Sequence, residues 1–184
     1  VGSGIMGSGI AEVAAKAGSS VVLRSRKQES ADAMVAALGT SLAKQVSRGK
    51  LDEAEAEAVK GRVSATADLE ALADCDMVIE SVVEDLDVKK QLFVELDRIV
   101  KPGAILATNT STLPVVEMAV ETARPERVVG VHFFNPAAAM SLVEIGRTPR
   151  SGGVTVDEEV ALAAACGKGT VEGGDRARLI VNEL

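Results

Sequence analysis

Tryptophan and tyrosine are absent from the chain, and phenylalanine stands at only three positions, Phe93, Phe133 and Phe134. So sparse a set of rings provides neither a stacking platform for single-stranded nucleic acid nor an aromatic belt at a membrane interface. Basic residues are the minority charge: 20 Lys and Arg against 27 Asp and Glu leave a net charge of −7 over 184 residues, the opposite of a DNA binder's basic footprint. Two cysteines without CxxC spacing, Cys75 and Cys166, and the lone His132 are too few ligands for a zinc cluster. No metal is expected, and the thiols read as reduced core residues. No apolar run approaches the roughly 18 residues that span a bilayer, and no charged-then-apolar leader opens the chain, so a cytoplasmic location is expected.

Hydrophobic residues make up 47 % and charged residues 26 %, enough apolar material for a buried core and incompatible with intrinsic disorder. Short apolar runs alternate with helical stretches along the chain. Val21–Leu23, Met77–Ile79, Ala104–Ala107 and Val128–Val131 read as strands, with helices over Ile10–Ala17, Glu29–Val46, Leu51–Val59 and Val88–Val100. Such alternation predicts an α/β, Rossmann-type, doubly wound and mostly parallel sheet covered on both faces. Glu29–Val59 forms a helical pair longer than a minimal crossover. Leu142–Ile145 follows Val131 too closely for a crossover and is expected to return as an antiparallel hairpin. A helix from Val156 to about Cys166 and a short strand, Thr170–Glu172, follow.

Gly2-x-Gly4-x-x-Gly7 opens the chain between a strand end and a helix. The fingerprint normally follows a strand of about five residues, of which only Val1 is present, so further residues are expected before Val1. The stop at Leu184 in an apolar run suggests the same beyond it. Gly2 permits the tight turn, Gly4 the approach of backbone to a pyrophosphate, and Gly7 close helix packing; Ile5 and Met6 complete the candidate loop, and the helix supplies N–H donors and positive dipole. After the second strand, an acidic residue would hold the ribose 2′-hydroxyl of NAD. Here Ser25 takes that place, followed by Arg26, and a small hydroxyl beside a guanidinium suits a 2′-phosphate. The cofactor reading is NAD(P), with NADP favoured over a solvated basic turn or NAD.

His132 closes the run Val128–Val131, at the carboxyl edge where parallel sheets bind ligands. With a hairpin centred near Ala138, His132 and Glu144 stand opposite each other, which places their β-carbons ~5 Å apart. A carboxylate on one ring nitrogen fixes the tautomer and leaves the other as general base; a structural histidine beside an exposed glutamate is the plainer alternative. Ser111, after Ala104–Ala107, belongs to the same edge, and reads equally as a substrate contact or as part of a hydroxyl-rich turn. Asn182 is similarly open. Glu84 and Lys89 read on their own as a surface pair.

These residues together resemble the NAD-binding domain of the 3-hydroxyacyl-CoA dehydrogenase family, in the style of its 3-hydroxybutyryl-CoA members. The resemblance rests on Gly2-Ser-Gly-Ile-Met-Gly-Ser-Gly-Ile-Ala-Glu12, Ile79-Glu-Ser-Val-Val-Glu84 with Lys89, Ala107-Thr-Asn-Thr-Ser111, and His132-Phe-Phe-Asn-Pro136 followed by Leu142-Val-Glu144. It implies His132 as general base, Glu144 as its orienting partner, Ser111 and Asn182 on the reacting oxygens, and Asn135, Glu84 and Lys89 along the nicotinamide and ribose. Ser41 would touch the CoA portion of an acyl-CoA substrate. It implies a dinucleotide-binding domain over 1–180, with 181–184 starting a linker to a C-terminal helical domain that is not in this sequence and through which the family dimerises. Departures are Ser25 for the usual acid, and Arg178, Leu179 and Glu183 around Asn182. A short-chain dehydrogenase of free 3-hydroxy acids, or a non-catalytic dinucleotide-binding protein, are the competing readings. His132 with Glu144 argues against both, and the first would also need a lysine base that the later helices lack.

Overall fold

The computed structural model describes residues 1–174. Helix α1 (Ile5–Lys16) follows the glycine loop and leads to β1 (Val21–Arg24); the pair α2 (Gln28–Ser47) and α3 (Glu53–Gly61) then crosses over to β2 (Val63–Thr66). The second half runs β3 (Met77–Glu80), α4 (Leu86–Ile99), β4 (Ile105–Thr108), α5 (Val115–Ala119), β5 (Val128–Phe133), β6 (Leu142–Arg147), α6 (Gly153–Ala165) and β7 (Gly169–Gly174). Local chemistry sets several boundaries. Asp52 and Asp85 accept the N–H groups of Glu55 and Val88 at the starts of α3 and α4, and Gly18 and Gly49, with φ of +97° and +66°, turn the chain after α1 and α2.

β1 and β2 pair in parallel, and β3-β4-β5-β6-β7 form a five-stranded sheet that is parallel except between β5 and β6. Val1 and Gly2 join the two sheets. Gly2 N–H donates to Arg24 O at 3.0 Å, Val1 donates its amino group to Ile79 O at 2.7 Å, and Ser81 N–H donates to Val1 O at 2.7 Å. One face is covered by α4 and α5 over Phe93, Leu96, Leu106 and Met118, the other by α1 and α6 over Ile10, Val131, Ile145 and Val156. Met34, Leu38 and Leu42 pack α2 against α1, α3 and β1. No helix among the described residues is long and apolar enough to cross a membrane.

The doubly wound expectation holds, with two differences. Val63–Thr66, absent from the sequence reading, is a strand; its four residues pair in register with β1, Val21 opposite Val63, and that pairing, with packing beside α2, decides what so short a run leaves open. His132 lies inside β5 rather than after it, because the ladder with β6 carries the strand on to Phe133.

Candidate active site

The carboxyl edge of the sheet gathers the glycine loop, Ser25 and Arg26 after β1, the segment after β3, the Asn109–Thr112 turn after β4, and the His132 end of β5. β6 runs the other way and so brings its early residue Glu144 to the same edge. His132 and Glu144 are register partners, and His132 Nδ1 lies 2.8 Å from Glu144 Oε2. The carboxylate side chain is 2 % exposed and the imidazole 12 %, so the pair sits at the floor of the edge with the ring alone reaching outward. A carboxylate only accepts, hence Nδ1 carries the proton, and the neutral form of the ring has its lone pair on Nε2. Phe134 packs a ring on the imidazole at 4.6 Å.

The glycine loop is built for close approach. Gly2 has φ +131°, and a Cβ there would meet Ser81 O at 2.2 Å, so no other residue fits. A Cβ on Gly7 would lie 2.8 Å from Gly2 O, which explains the third glycine, while Gly4 faces open space. Met6 is partly buried against the core and Ile5 is exposed. α1 begins at Gly4 with no side-chain cap and no acid in its first turn, leaving its N–H donors and dipole for an anion. A cleft of about 570 Å³ opens here, lined among others by Gly2, Gly4, Arg24, Ser25, Arg26, Val82, Val83, Val88 and Glu95. Arg24 Nε is buried without a protein hydrogen-bond partner. An uncapped helix start, a side-chain-free approach at Gly4 and two guanidinium groups fit the diphosphate and ribose of a dinucleotide.

The sequence reading of Glu84 and Lys89 as a surface pair is corrected. Lys89 is 1 % exposed, with its ammonium 2.8 Å from Glu80 and 3.2 Å from Glu84, and only Glu84 reaches solvent. Hydrogen bonds to Thr110, Thr112 and Lys89, with the charge of Lys89, hold the Glu84 carboxyl below the usual carboxylate range although partial burial, the largest single influence, opposes them. Ser111 stands in the turn that Glu84 ties down, its N–H 3.3 Å from Glu84 Oε1. Asn135 is exposed at the start of the loop between β5 and β6.

Ser41 joins none of these. Its hydroxyl donates to buried Glu12 at 2.7 Å, within a seam between α1 and α2 that also engages Gln45 and Lys16. Asn182 lies outside the described residues. Sequence reasoning missed Glu80, an acid closing an apolar strand with a lysine nine residues on, and Asn109, whose Oδ1 accepts the Phe133 N–H at 2.8 Å. It also missed Lys168, which donates to Ala137 O and Met140 O and pins the loop that bears Asn135. Ala137 in turn packs on Gly9 of α1. Among the described residues no group of three His, Cys, Asp or Glu is placed to hold a metal ion.

Comparison with known proteins gives consistent similarities. The family described as "3-hydroxyacyl-CoA dehydrogenase, NAD binding domain" matches residues 1–176. A 3-hydroxybutyryl-CoA dehydrogenase of Clostridioides difficile is 40 % identical over 184 residues, covering 100 % of this chain and 66 % of the relative. One from Mycobacterium tuberculosis is 44 % identical over 195 aligned residues, covering 100 % and 65 %. The crystal structure of (S)-3-hydroxybutyryl-CoA dehydrogenase from Ralstonia eutropha superposes with a TM-score of 0.97 at 32 % identity, over 100 % of this chain and 65 % of that one. The chain thus spans about two thirds of the length of these relatives.

Proposed function

The chain belongs to the 3-hydroxyacyl-CoA dehydrogenase family through its NAD-binding domain, and from that premise we propose that it interconverts a 3-hydroxyacyl-CoA, with 3-hydroxybutyryl-CoA as the working substrate, and the 3-oxoacyl-CoA. The observation that carries the reading is the 2.8 Å contact between His132 Nδ1 and buried Glu144. A bound nicotinamide supplies the hydride acceptor or donor for C3 of the thioester. His132 Nε2 takes the hydroxyl proton in oxidation and returns it to the oxo group in reduction. Glu144 holds the ring in that tautomer and stabilises the imidazolium. Ser111 donates to the reacting oxygen, and Asn135 and Glu84 line the nicotinamide side.

Gly2, Gly4, Ile5, Met6 and Gly7 would hold the diphosphate, and Ser25 with Arg26 the adenosine ribose. We assign the preference to NADP. Ser25 follows β1 where an acidic residue would hold a ribose 2′-hydroxyl, Arg24 and Arg26 line the cleft, and guanidinium recognises phosphate in bidentate geometry. Initial rates of acetoacetyl-CoA reduction with NADH and NADPH in parallel, measured on the protein as its gene encodes it, test both parts. Oxidation of either cofactor supports the reaction, and a higher kcat/KM with NADH refutes the NADP assignment. In Ser25→Asp the ratio of kcat/KM for NADPH over NADH is expected to fall about tenfold, since one like charge beside the 2′-phosphate costs on the order of 1.4 kcal/mol.

A further inference from the structure

We propose that Glu80 is a positioning residue that acts through Lys89 and Glu84 to hold the turn of Thr110, Ser111 and Thr112 beside the cofactor cleft, an inference that rests on the reading of Ser111 as a substrate contact. Glu80 closes β3 and is wholly buried. Its Oε1 accepts the Val82 N–H at 2.5 Å and the Lys89 ammonium at 2.8 Å, and its Oε2 accepts the same ammonium at 2.9 Å and the Thr108 hydroxyl at 2.7 Å. Every oxygen is therefore doubly engaged. Lys89, from the first turn of α4, passes the restraint on to Glu84 at 3.2 Å. Glu84 Oε1 in turn collects the Ser111 N–H at 3.3 Å, the Thr112 hydroxyl at 3.2 Å and the Thr110 hydroxyl.

The chain of contacts runs from the buried carboxyl end of β3 to the one turn predicted to touch substrate. A buried ion pair is rarely a net source of stability, because well-packed apolar side chains of like volume serve as well or better. What ions and hydroxyls provide here is direction. Val82 and its neighbour Ser81, whose carbonyl defines the limit of approach at Gly2, belong to the cleft, and Glu80 fixes them with the same carboxylate that fixes Lys89. Asn109 closes the arrangement. Its N–H donates to Glu80 O at 2.8 Å and its Oδ1 accepts from Phe133, the residue after His132. Cofactor floor, Ser111 turn and the strand of the base are thereby held in one hydrogen-bonded unit, in which a small misplacement is costly to rate.

The test uses the natural full chain with Glu80→Gln, the milder Thr108→Val, which removes one donor from Glu80, and a control, Lys101→Gln, which breaks the exposed Lys101–Asp76 pair. Amide hydrogen exchange of the peptide covering 107–114 is expected to quicken about fivefold or more in Glu80→Gln, less in Thr108→Val, and not in the control. Turnover of acetoacetyl-CoA is expected to drop about tenfold in Glu80→Gln, with the Kd of the reduced dinucleotide, read by its fluorescence, rising by a clearly smaller factor. Unchanged exchange in the turn overturns the proposal, as does a Kd that rises as much as kcat falls. If Glu80→Gln does not fold, Thr108→Val decides alone by the same readouts. A parent that turns over no thioester while Glu80→Gln still loosens the turn refutes the proposed reaction and supports the coupling of Glu80 to the turn.

Discussion

Replacing His132 with glutamine is expected to lower turnover of acetoacetyl-CoA by about 10²–10⁴-fold, the usual contribution of a positioned general acid or base, while leaving dinucleotide affinity within about threefold of the parent. Two features of the geometry lead to this split. His132 is the only histidine of the chain, so no second imidazole can substitute for it, and it is not among the residues lining the cleft of the glycine loop. Glutamine keeps the approximate size and a donor or acceptor at the ring's position but takes up no proton. Glu144→Gln should act in the same direction by a different route. An amide in place of the carboxylate can donate to Nδ1, which moves the ring proton to Nε2 and removes the lone pair that faces the substrate. Stopped-flow or steady-state rates with the preferred cofactor, beside a fluorescence titration of the same cofactor, check both variants. Near-parental turnover in His132→Gln would sink the mechanism, and a matching loss of cofactor affinity would point to a collapsed edge instead of a missing base.

The opposition of His132 and Glu144 could be read in advance because an antiparallel hairpin converts counting into geometry. His132 and Glu144 are equidistant from Ala138, and the observed register pairs them. The glycine loop was legible for a related reason: Gly2 and Gly7 answer steric demands that no other residue meets, as the contacts of their Cβ positions with Ser81 O and Gly2 O make plain. The Glu80–Lys89 pair was not legible. A charged residue at the end of a four-residue strand and a lysine in the first turn of a helix both look solvated, and only the packing of α4 against the sheet encloses them. β2 escaped for want of length, since Val63-Ser-Ala-Thr66 has one clear hydrophobic position and takes its pairing from β1. Ser41 was assigned from resemblance alone, and its bond to Glu12 is a tertiary fact with no local signal.

Glu159 illustrates the same limit and yields the largest expected effect on stability. In the run Asp157-Glu158-Glu159 nothing distinguishes one acid from its neighbours, yet the helical period puts Glu159 on the stripe of Val156 and Ala163 that α6 buries. It is 1 % exposed, and its Oε1 has no hydrogen-bond partner. Burial, with a smaller push from the adjacent Glu158 carboxylate, raises its pKa from 4.5 to about 8. For an acid whose pKa is raised in the folded protein, both states are protonated below the unfolded value and no penalty exists there. As pH climbs from about 4.5 to about 8 the unfolded chain ionises while the folded one does not, so stability drains away across that window. The loss is on the order of 5 kcal/mol once the folded carboxyl has also titrated. Glu159→Gln keeps the shape and cannot ionise. Relative to the parent, it is therefore expected to gain roughly 3 kcal/mol more at pH 8 than at pH 5, measured by urea unfolding at both values. The cost or benefit of burying an amide instead of a protonated acid shifts both points alike and cancels in the difference. A parent-to-variant gap that stays constant between pH 5 and pH 8 would show that Glu159 finds a partner or water in the folded state and is not held neutral by its surroundings.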